Sequence, residues 1–277
     1  MPDEHLESPG DPRVADYRDV PDRELLRARG LFVAEGRLVV ERLIEQGRYR
    51  VRSLLLSDVA RAALAPAVAR LAPDVPVYIC AAAHFEPITG FHVHRGCLAL
   101  VERPPPAPID EVLRDARLVV VLEDVANADN VGGVFRNAAA FGADAVLLNR
   151  ASCDPLYRKA IRTSMGATLT VPFARIDDWP GGLAEVAARG WTIVALTPRQ
   201  PSVPLDEFAR LHPPDRLALV VGAEGAGLSE GAAALAAFHV RIPMTSTVDS
   251  LNLAVATGIA LSTLSAVSRL TRPADLA

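Results

Sequence analysis

Apolar residues follow two alternating patterns along most of the chain. Short, nearly continuous apolar runs are separated by longer segments in which apolar residues recur every three or four positions. The first pattern indicates strands buried on both faces, and the second indicates helices with one buried face. The predicted fold class is therefore α/β, with a parallel sheet covered by helices.

The alternation is most regular in the C-terminal part of the chain. Its first two apolar runs enclose a segment predicted as a helix over 131–141, and "SLNLAVATGIALSTLSAVSRL" predicts a long last helix with many small residues. The predicted strands are "RLVVVLE", "ADAVLLN", "LTVPF", "WTIVAL", "LALVVG" and "FHVRIP".

A smaller α/β layer is predicted before it. The segment "LFVAEGRLVVERLIEQG" has apolar residues at helical spacing, and Gly47 ends the predicted helix. Pro66 interrupts a second helix, "VARAALAPAVARLA". The predicted strands of this layer are "RSLLLSD", "VPVYIC" and "GCLALVE".

Composition sets the expected domain boundaries. Residues 1–22 are rich in Asp, Pro and Gly, which predicts a flexible tail. The stretch "ERPPPAPID" favours extended polyproline geometry, so residues 103–114 are predicted to be a Pro-rich linker. The two expected domains are 23–102 and 115–277.

Charge and hydropathy narrow the function classes. No apolar run reaches the roughly 18 residues that a membrane helix needs, and the first twenty residues are polar and acidic, so we expect a cytoplasmic protein without a membrane partner. The formal net charge of -4 does not by itself indicate a nucleic-acid-binding protein, although net charge averages over faces. Lys159 is the only lysine, so arginines would build any anion site.

Cysteine and histidine spacing predicts neither disulfides nor a metal site. Cys80, Cys97 and Cys153 lie far apart and form no CxxC pair, so buried free thiols are expected. His92 and His94 could point to the same side of a strand, but no third ligand lies nearby.

Three loops concentrate glycine, amide and hydroxyl groups where predicted strands end. They are 127–133, 222–231 and 242–252, after the first, fifth and sixth strands of the C-terminal domain. Ligands bind at the carboxyl ends of strands in open parallel sheets, so we expect these loops to converge on one pocket. The second loop contains Glu224 but matches neither GxxxxGK[ST] nor GxGxxG, which disfavours an α/β enzyme that uses a dinucleotide.

The same loops resemble the motifs of a known family. Asn130-x-Gly132-x-x-x-Arg136, Gly222-x-Glu224-Gly225-x-Gly227-Leu228, and Ile242-Pro243-Met244 with Ser250-Leu251-Asn252 are similar to the three ordered motifs of the SpoU (TrmH) family of RNA ribose 2'-O-methyltransferases. Residues 31–100 also resemble the ribosomal-protein-like substrate-binding domain of many members. The resemblance implies a SPOUT methyltransferase domain with a trefoil knot, S-adenosyl-L-methionine as cofactor, RNA as partner, and a homodimer whose sites borrow residues from the partner subunit.

Two adjacent positions depart from the family's pattern. Asn127-Ala128 stands where the family usually has Asp-Pro ahead of the first motif. The side chain of Asn127 can still form hydrogen bonds, whereas the loss of proline is expected to loosen this loop.

The resemblance also implies roles for individual residues. The expected catalytic residues are Asn130, Arg136, Glu224 and Asn252. The expected cofactor-binding residues are Gly222, Gly225, Gly227, Leu228, Ile242, Met244, Ser250 and Leu251. Of these, Leu228, Ile242 and Met244 also suit core packing. Arg158, Lys159 and Arg162 form a basic helical cluster that either binds RNA phosphates or is a solvated helix face.

Arg136 is the leading catalytic candidate, and the sequence leaves two catalytic roles open for it. A guanidinium remains protonated in proteins, which favours binding a substrate phosphate and stabilising a developing alkoxide over accepting the proton itself. Glu224 is the alternative general base. The competing structural interpretation is an arginine that only caps the helix or pairs with Glu123 or Asp124.

The RNA target has more than one candidate. Stand-alone tRNA members of the family generally lack the small N-terminal domain, which favours ribosomal RNA over transfer RNA. A non-catalytic RNA-binding protein of ribosome assembly is the alternative outside enzymes, and the presence of the four catalytic candidates argues against it.

Overall fold

The chain forms two compact units. The computed structural model describes residues 3–18, 21–91, 93, 96–211, 215–245, 247 and 249–270, with only the backbone for 266–270, so His92 and His94 lie outside the described residues. Unit 1 contains Met1–Pro105 and Pro155–Leu169, and unit 2 contains Pro106–Asp154 and Thr170–Ala277.

The N-terminal part of unit 1 alternates short helices and strands. Its elements are β1 (Glu4–His5), α1 (Asp22–Ala28), β2 (Leu31–Glu35), α2 (Arg37–Gln46), β3 (Val51–Leu56), α3 (Asp58–Ala63), α4 (Ala65–Val68), β4 (Val77–Ile79), α5 (Phe85–Thr89) and β5 (Cys97–Glu102). They form a five-stranded sheet in the order β1-β4-β3-β5-β2. The sheet is mixed, because β3 and β2 run antiparallel to β5 while β1 and β3 run parallel to β4.

The rest of the described chain contains a short segment of unit 1, with one α-helix, and the whole of unit 2. Its elements are α6 (Ile109–Leu113), β6 (Leu118–Leu122), α7 (Ala128–Phe141), β7 (Ala145–Asn149), α8 (Arg158–Thr163, in unit 1), β8 (Phe173–Ile176), α9 (Gly181–Ala188), β9 (Thr192–Leu196), β10 (Val203–Pro204), α10 (Leu205–Leu211), β11 (Leu217–Val221), α11 (Glu230–Ala234), β12 (Phe238–Arg241) and α12 (Leu253–Leu270).

Unit 2 has the parallel sheet that the sequence predicts. Seven strands lie in the order β10-β12-β9-β11-β6-β7-β8, and every neighbouring pair is parallel. All residues of β7 and β11 are buried, as expected for strands with helices on both sides. The trefoil knot implied by the resemblance stays a prediction.

Helices α7 and α12 pack closely against each other. A Cβ atom built on Gly133 would lie 2.6 Å from the Cβ of Ala254, so only a glycine allows this approach. One turn further along α7, the side-chain amide of Asn137 donates a hydrogen bond to the carbonyl of Ala254 at 2.6 Å. These contacts fix the start of α12 relative to the first motif.

The N-terminal segment is packed, so the prediction of a flexible tail is wrong for the residues that the structure describes. After β1 pairs with β4, a 3₁₀ helix forms over Pro12–Tyr17. The hydroxyl of Tyr17 donates to the backbone carbonyl of Ser53 at 3.0 Å. Leu6 and Val14 are buried in the same core. The segment has few apolar residues, but tertiary contacts bury those it has.

Two predicted element boundaries are also wrong. Residues Leu31–Glu35 form strand β2 instead of the start of a helix, because Gly36, with φ of +102°, separates the strand from α2. Helix α6 lies inside the predicted linker, where Asp110 and Glu111 favour the first turn of a helix.

Residues 155–169 belong to unit 1 although the sequence placed them in the C-terminal domain. The backbone N–H of Arg158 donates to the carboxylate of Asp22 at 3.0 Å, and its guanidinium contacts Glu35 at 2.6 Å. Glu35 is only 2 % exposed. The guanidinium of Arg158, on α8, offsets the cost of burying the charge of Glu35.

The three cysteines are free and buried, as predicted. Within the described ranges, no helix combines the length and the apolar character needed to span a membrane.

Candidate active site

Four neighbouring strands of unit 2 end at one edge of the sheet. Strands β12, β9, β11 and β6 are adjacent and parallel, so their carboxyl ends lie side by side. The segments that leave these ends are 242–252, 197–199, 222–228 and 123–127. This is the position where open parallel sheets bind ligands.

A cavity of about 560 Å³ lies at this edge. All eight residues predicted to bind the cofactor line it, together with Glu224 and Asn252. The eight are Gly222, Gly225, Gly227, Leu228, Ile242, Met244, Ser250 and Leu251. Asn130 and Arg136, which the resemblance places in the same site, are not among its lining residues.

The segment after β11 forms a tight turn that needs its first glycine. The N–H of Gly227 donates to the carbonyl of Ala223 at 2.9 Å. A Cβ atom on Gly222 would overlap the backbone of Gly227 and Leu228. The chain therefore exposes bare backbone to the cavity, which lets a ligand approach its N–H and C=O groups closely.

A buried carboxylate anchors the far end of this turn. Glu123, directly after β6, accepts hydrogen bonds from the indole N–H of Trp179 at 2.5 Å and from the backbone N–H of Ser229 at 3.0 Å. Glu123 is 2 % exposed. Ser229 in turn caps α11 through its side chain. Sequence reasoning missed this anchor, and the only signal for it was an acidic residue directly after an apolar run.

Asn252 connects the three motifs. Its Nδ2 atom donates to Oδ1 of Asn130 and to Oε1 of Glu224, at 2.9 Å in both cases. Its Oδ1 atom accepts the backbone N–H groups of Ala254 and Val255, so it also caps the start of α12. The predicted catalytic residues Asn130, Glu224 and Asn252 therefore form one hydrogen-bonded group.

Helix α7 begins three residues earlier than predicted, at Ala128. Asn127 is its N-cap, and its side-chain oxygen accepts the N–H of Asp129 at 2.9 Å. The amide at this position thus retains the hydrogen-bonding ability expected for it. Because the helix begins here, Asn130 sits in the first turn, 5 % exposed, with its side chain directed at Asn252.

Arg136 is exposed and forms no hydrogen bond or ion pair with any residue that the structure describes. Glu123 has the partners given above, and Asp124 accepts from the side-chain amide of Asn149 at 2.6 Å. The interpretation of Arg136 as a partner of these two acids is therefore wrong. Its catalytic role stays a prediction.

The loop after β9 was missed by the sequence reasoning. Thr197, Pro198 and Arg199 line the cavity, and Arg199 donates to the carbonyl of Ala226 at 3.0 Å. This loop lacks the glycines and amides that identified the other three. Only its position could have identified it, because this loop follows a predicted strand in the same way as the other three loops do.

Part of the basic cluster of α8 has a structural role. Arg158 pairs with Glu35 and stacks over the ring of Phe91, with its guanidinium carbon 3.4 Å from the ring centroid. Arg162 lies 3.4 Å from the same carboxylate but is about half exposed. Lys159 is exposed. RNA binding by this cluster stays a prediction.

The cavity suits a ligand with an apolar part and several polar groups. Leu228, Ile242 and Met244 offer apolar contacts, and the turn after β11 offers backbone donors and acceptors. Its volume falls within the range of about 300–1,000 Å³ that is typical of small-molecule and cofactor sites.

Comparisons with known proteins agree with this arrangement. Residues 117–262 match the model of the SpoU rRNA Methylase family. The chain is 40% identical over 256 residues to an uncharacterized tRNA/rRNA methyltransferase of Mycobacterium bovis, covering 91% of this chain and 88% of that protein.

Solved structures resemble nearly the whole chain. The AdoMet-bound rRNA methyltransferase from Sinorhizobium meliloti matches with a TM-score of 0.80 and 25% identity, covering 97% of this chain and 98% of that chain. The SpoU methyltransferase AviRb from Streptomyces viridochromogenes, in complex with AdoMet, matches with a TM-score of 0.77 and 22% identity over 95% and 100% of the two chains. The second match shows a shared fold.

Proposed function

The chain belongs to the SpoU rRNA methylase family and is an RNA methyltransferase, and from this premise we propose that it methylates a ribose 2'-hydroxyl of ribosomal RNA with S-adenosylmethionine as methyl donor. The observation that carries the proposal is the hydrogen-bonded group of Asn130, Glu224 and Asn252 beside the cavity. It joins side chains that can orient a substrate hydroxyl with a carboxylate that can accept its proton.

The cavity residues fit this cofactor. The apolar side chains of Leu228, Ile242 and Met244 would pack against the adenine, and the bare backbone around Gly222 would form hydrogen bonds with the adenine and ribose. When bound, S-adenosylmethionine supplies an electrophilic methyl group, so the protein has to align the nucleophile and remove one proton.

Glu224 is placed to take that proton. Its Oε1 atom accepts from the amide of Asn252 and, at 3.4 Å, from the backbone N–H of Leu253. Its Oε2 atom has no partner within the described part of the chain, so it can accept the proton of the 2'-hydroxyl. Asn252, whose amide also donates to Asn130, holds the carboxylate in one orientation, which a general base requires.

Arg136 binds a phosphate of the RNA and stabilises the 2'-oxygen as it becomes nucleophilic. The guanidinium of Arg136 suits this role because it is exposed, and because Glu123 and Asp124 have other hydrogen-bond partners. Arg136 does not line the cavity of its own chain, which supports a homodimer in which residues of one subunit complete the site of the other.

The choice of ribosomal RNA is supported by unit 1 and by one structural neighbour. The Sinorhizobium meliloti protein, an rRNA methyltransferase, aligns with nearly the whole chain and therefore with both units. Within α8, Lys159 and Arg162 are the more exposed cations and are proposed to contact RNA phosphates, whereas Arg158 forms the shorter ion pair with Glu35.

The proposal is tested with the purified full-length chain, labelled S-adenosylmethionine, and unmethylated ribosomal or transfer RNA. We expect label in ribosomal RNA, recovered as a dinucleotide that resists alkaline hydrolysis because its 2'-oxygen is methylated. Label recovered in mononucleotides after alkaline hydrolysis would contradict methylation at the ribose. Label only in transfer RNA would contradict the ribosomal target, and cofactor binding without label in either RNA would favour the non-catalytic alternative.

A further inference from the structure

The loop after β9 brings a single cation to the wall of the cofactor cavity. In sheet order, β9 lies between β12 and β11, so its loop stands between the two loops predicted to bind the cofactor. Arg199 is the only cationic side chain among the described residues that line the cavity, and two carboxylates, Glu224 and Asp249, line it as well.

These three charges complement those of the proposed cofactor. S-adenosylmethionine carries one carboxylate and two positive groups, the ammonium and the sulfonium, whereas the wall of the cavity carries one guanidinium and two carboxylates. We infer that Arg199 binds the α-carboxylate of S-adenosylmethionine, an inference that rests on the proposed function. A guanidinium suits this task because its N–H groups match the two oxygens of a carboxylate.

The side chain of Arg199 is held in place for this contact. One terminal nitrogen donates to the carbonyl of Ala226 at 3.0 Å, at the tip of the turn between Gly225 and Gly227. A guanidinium has five N–H donors, so four remain after this bond. No carboxylate of the described residues pairs with them. The hydrogen bond to Ala226 fixes the group without neutralising it.

The same hydrogen bond raises a competing explanation, in which Arg199 only stabilises the turn after β11. The two roles differ in which ligands they affect. An arginine that only shapes the turn contributes equally to every ligand of the cavity, whereas a carboxylate-binding arginine contributes only to ligands that carry a carboxylate.

The experiment compares S-adenosylmethionine with decarboxylated S-adenosylmethionine, which differs only by lacking the carboxylate. Their dissociation constants are measured by titration calorimetry for the full-length wild type and for Arg199→Ala, Arg199→Lys and Arg114→Ala. Arg114 is the matched control, because it is exposed and precedes β6, at the opposite edge of the sheet.

We expect the wild type and Arg114→Ala to bind S-adenosylmethionine on the order of tenfold more tightly than the decarboxylated ligand. Arg199→Ala loses this preference while its affinity for the decarboxylated ligand is retained, and Arg199→Lys keeps part of it. Equal weakening of both ligands in Arg199→Ala, or no weakening, overturns the inference while leaving the proposed function intact. Failure of the wild type to bind either ligand overturns the proposed function itself.

Discussion

The side-chain amide of Asn252 donates a hydrogen bond to the side-chain oxygen of Asn130 at 2.9 Å, across 122 positions of the chain. The same nitrogen reaches Glu224, and the oxygen of the same side chain caps α12. One residue thus orients the proposed base and begins the last helix. The two tasks use different atoms, so substitutions can separate them.

Asn252→Asp is expected to keep the cap and lose the orientation of Glu224. A carboxylate oxygen still accepts the N–H groups of Ala254 and Val255, but it has no donor for Asn130 or Glu224. Methyl transfer should fall on the order of 100-fold, because misplacing a reacting group by about 1 Å has this effect. Asn252→Ala should lose the cap as well, which lowers the free energy of unfolding by about 1 kcal/mol. Initial rates and urea titrations measure both effects, and wild-type rates in Asn252→Asp would contradict the proposed orientation.

Arg136 is expected to matter for rate and not for folding. Its side chain contacts no described residue through a hydrogen bond or ion pair, so Arg136→Ala should change the free energy of unfolding by less than about 0.5 kcal/mol. In the proposed mechanism its charge stabilises the developing alkoxide, so its loss should slow methyl transfer on the order of 100-fold or more. Calorimetry should show unchanged affinity for S-adenosylmethionine. An Arg136→Ala variant that methylates RNA at the wild-type rate would remove this residue from the mechanism.

The local patterns of the sequence predicted the strands of unit 2 and one wall of the cavity, but not the contacts that hold the cavity together. Continuous apolar runs identify buried strands directly, and the glycine-rich turn after β11 identifies one wall of the cavity. The anchor formed by Glu123 and Trp179, and the approach of Arg199 to the turn, depend on which strands become neighbours. No local pattern encodes that order.

The assignment of α8 to unit 1 shows the same limit. Arg158 and Glu35 are 123 positions apart, and each looks like an ordinary surface charge in its own segment. Only the folded chain shows that Glu35 is buried and that Arg158 is its partner. The cluster predicted to bind RNA therefore contains one residue with a structural role.

Gly222 is expected to be intolerant of a side chain. In Gly222→Ala the new Cβ would overlap the backbone of Gly227, so the turn has to move, and affinity for S-adenosylmethionine should fall by at least about tenfold. Gly225→Ala is the matched control, because it has open space and only the strain of its φ of +86°. It should lower the free energy of unfolding by about 1 kcal/mol with a smaller effect on binding. A larger loss of affinity in Gly225→Ala than in Gly222→Ala, measured by calorimetric titration, would contradict the close approach of Gly222 to Gly227 as the reason.

Arg158 is expected to stabilise unit 1 through its ion pair with Glu35. Arg158→Ala should lower the free energy of unfolding by about 3 kcal/mol, because among the described residues it leaves the buried carboxylate of Glu35 only the more distant cation Arg162. Arg162→Ala should have an effect below about 1 kcal/mol, since that pair is longer and half exposed. Combining Arg158→Met with Glu35→Gln should recover most of the loss, because the buried charge of residue 35 is removed together with its partner. Equal effects of Arg158→Ala and Arg162→Ala in denaturant titrations would rule out this ranking.

The stability of the protein is expected to fall at alkaline pH, in part because of Cys97. Burial raises the pKa of its thiol from an ordinary value of 9.0 to about 12. Below pH 9 the thiol is protonated in the folded and unfolded states alike, so it adds no pH dependence. Between about pH 9 and pH 12 the unfolded chain loses a proton that the folded chain keeps, which lowers the free energy of unfolding by about 1.4 kcal/mol per pH unit. Cys97→Ala removes this contribution, so its stability should decline less steeply in urea titrations over the same window. Parallel declines in the two proteins would show that the thiol ionises as readily in the folded state as in the unfolded chain.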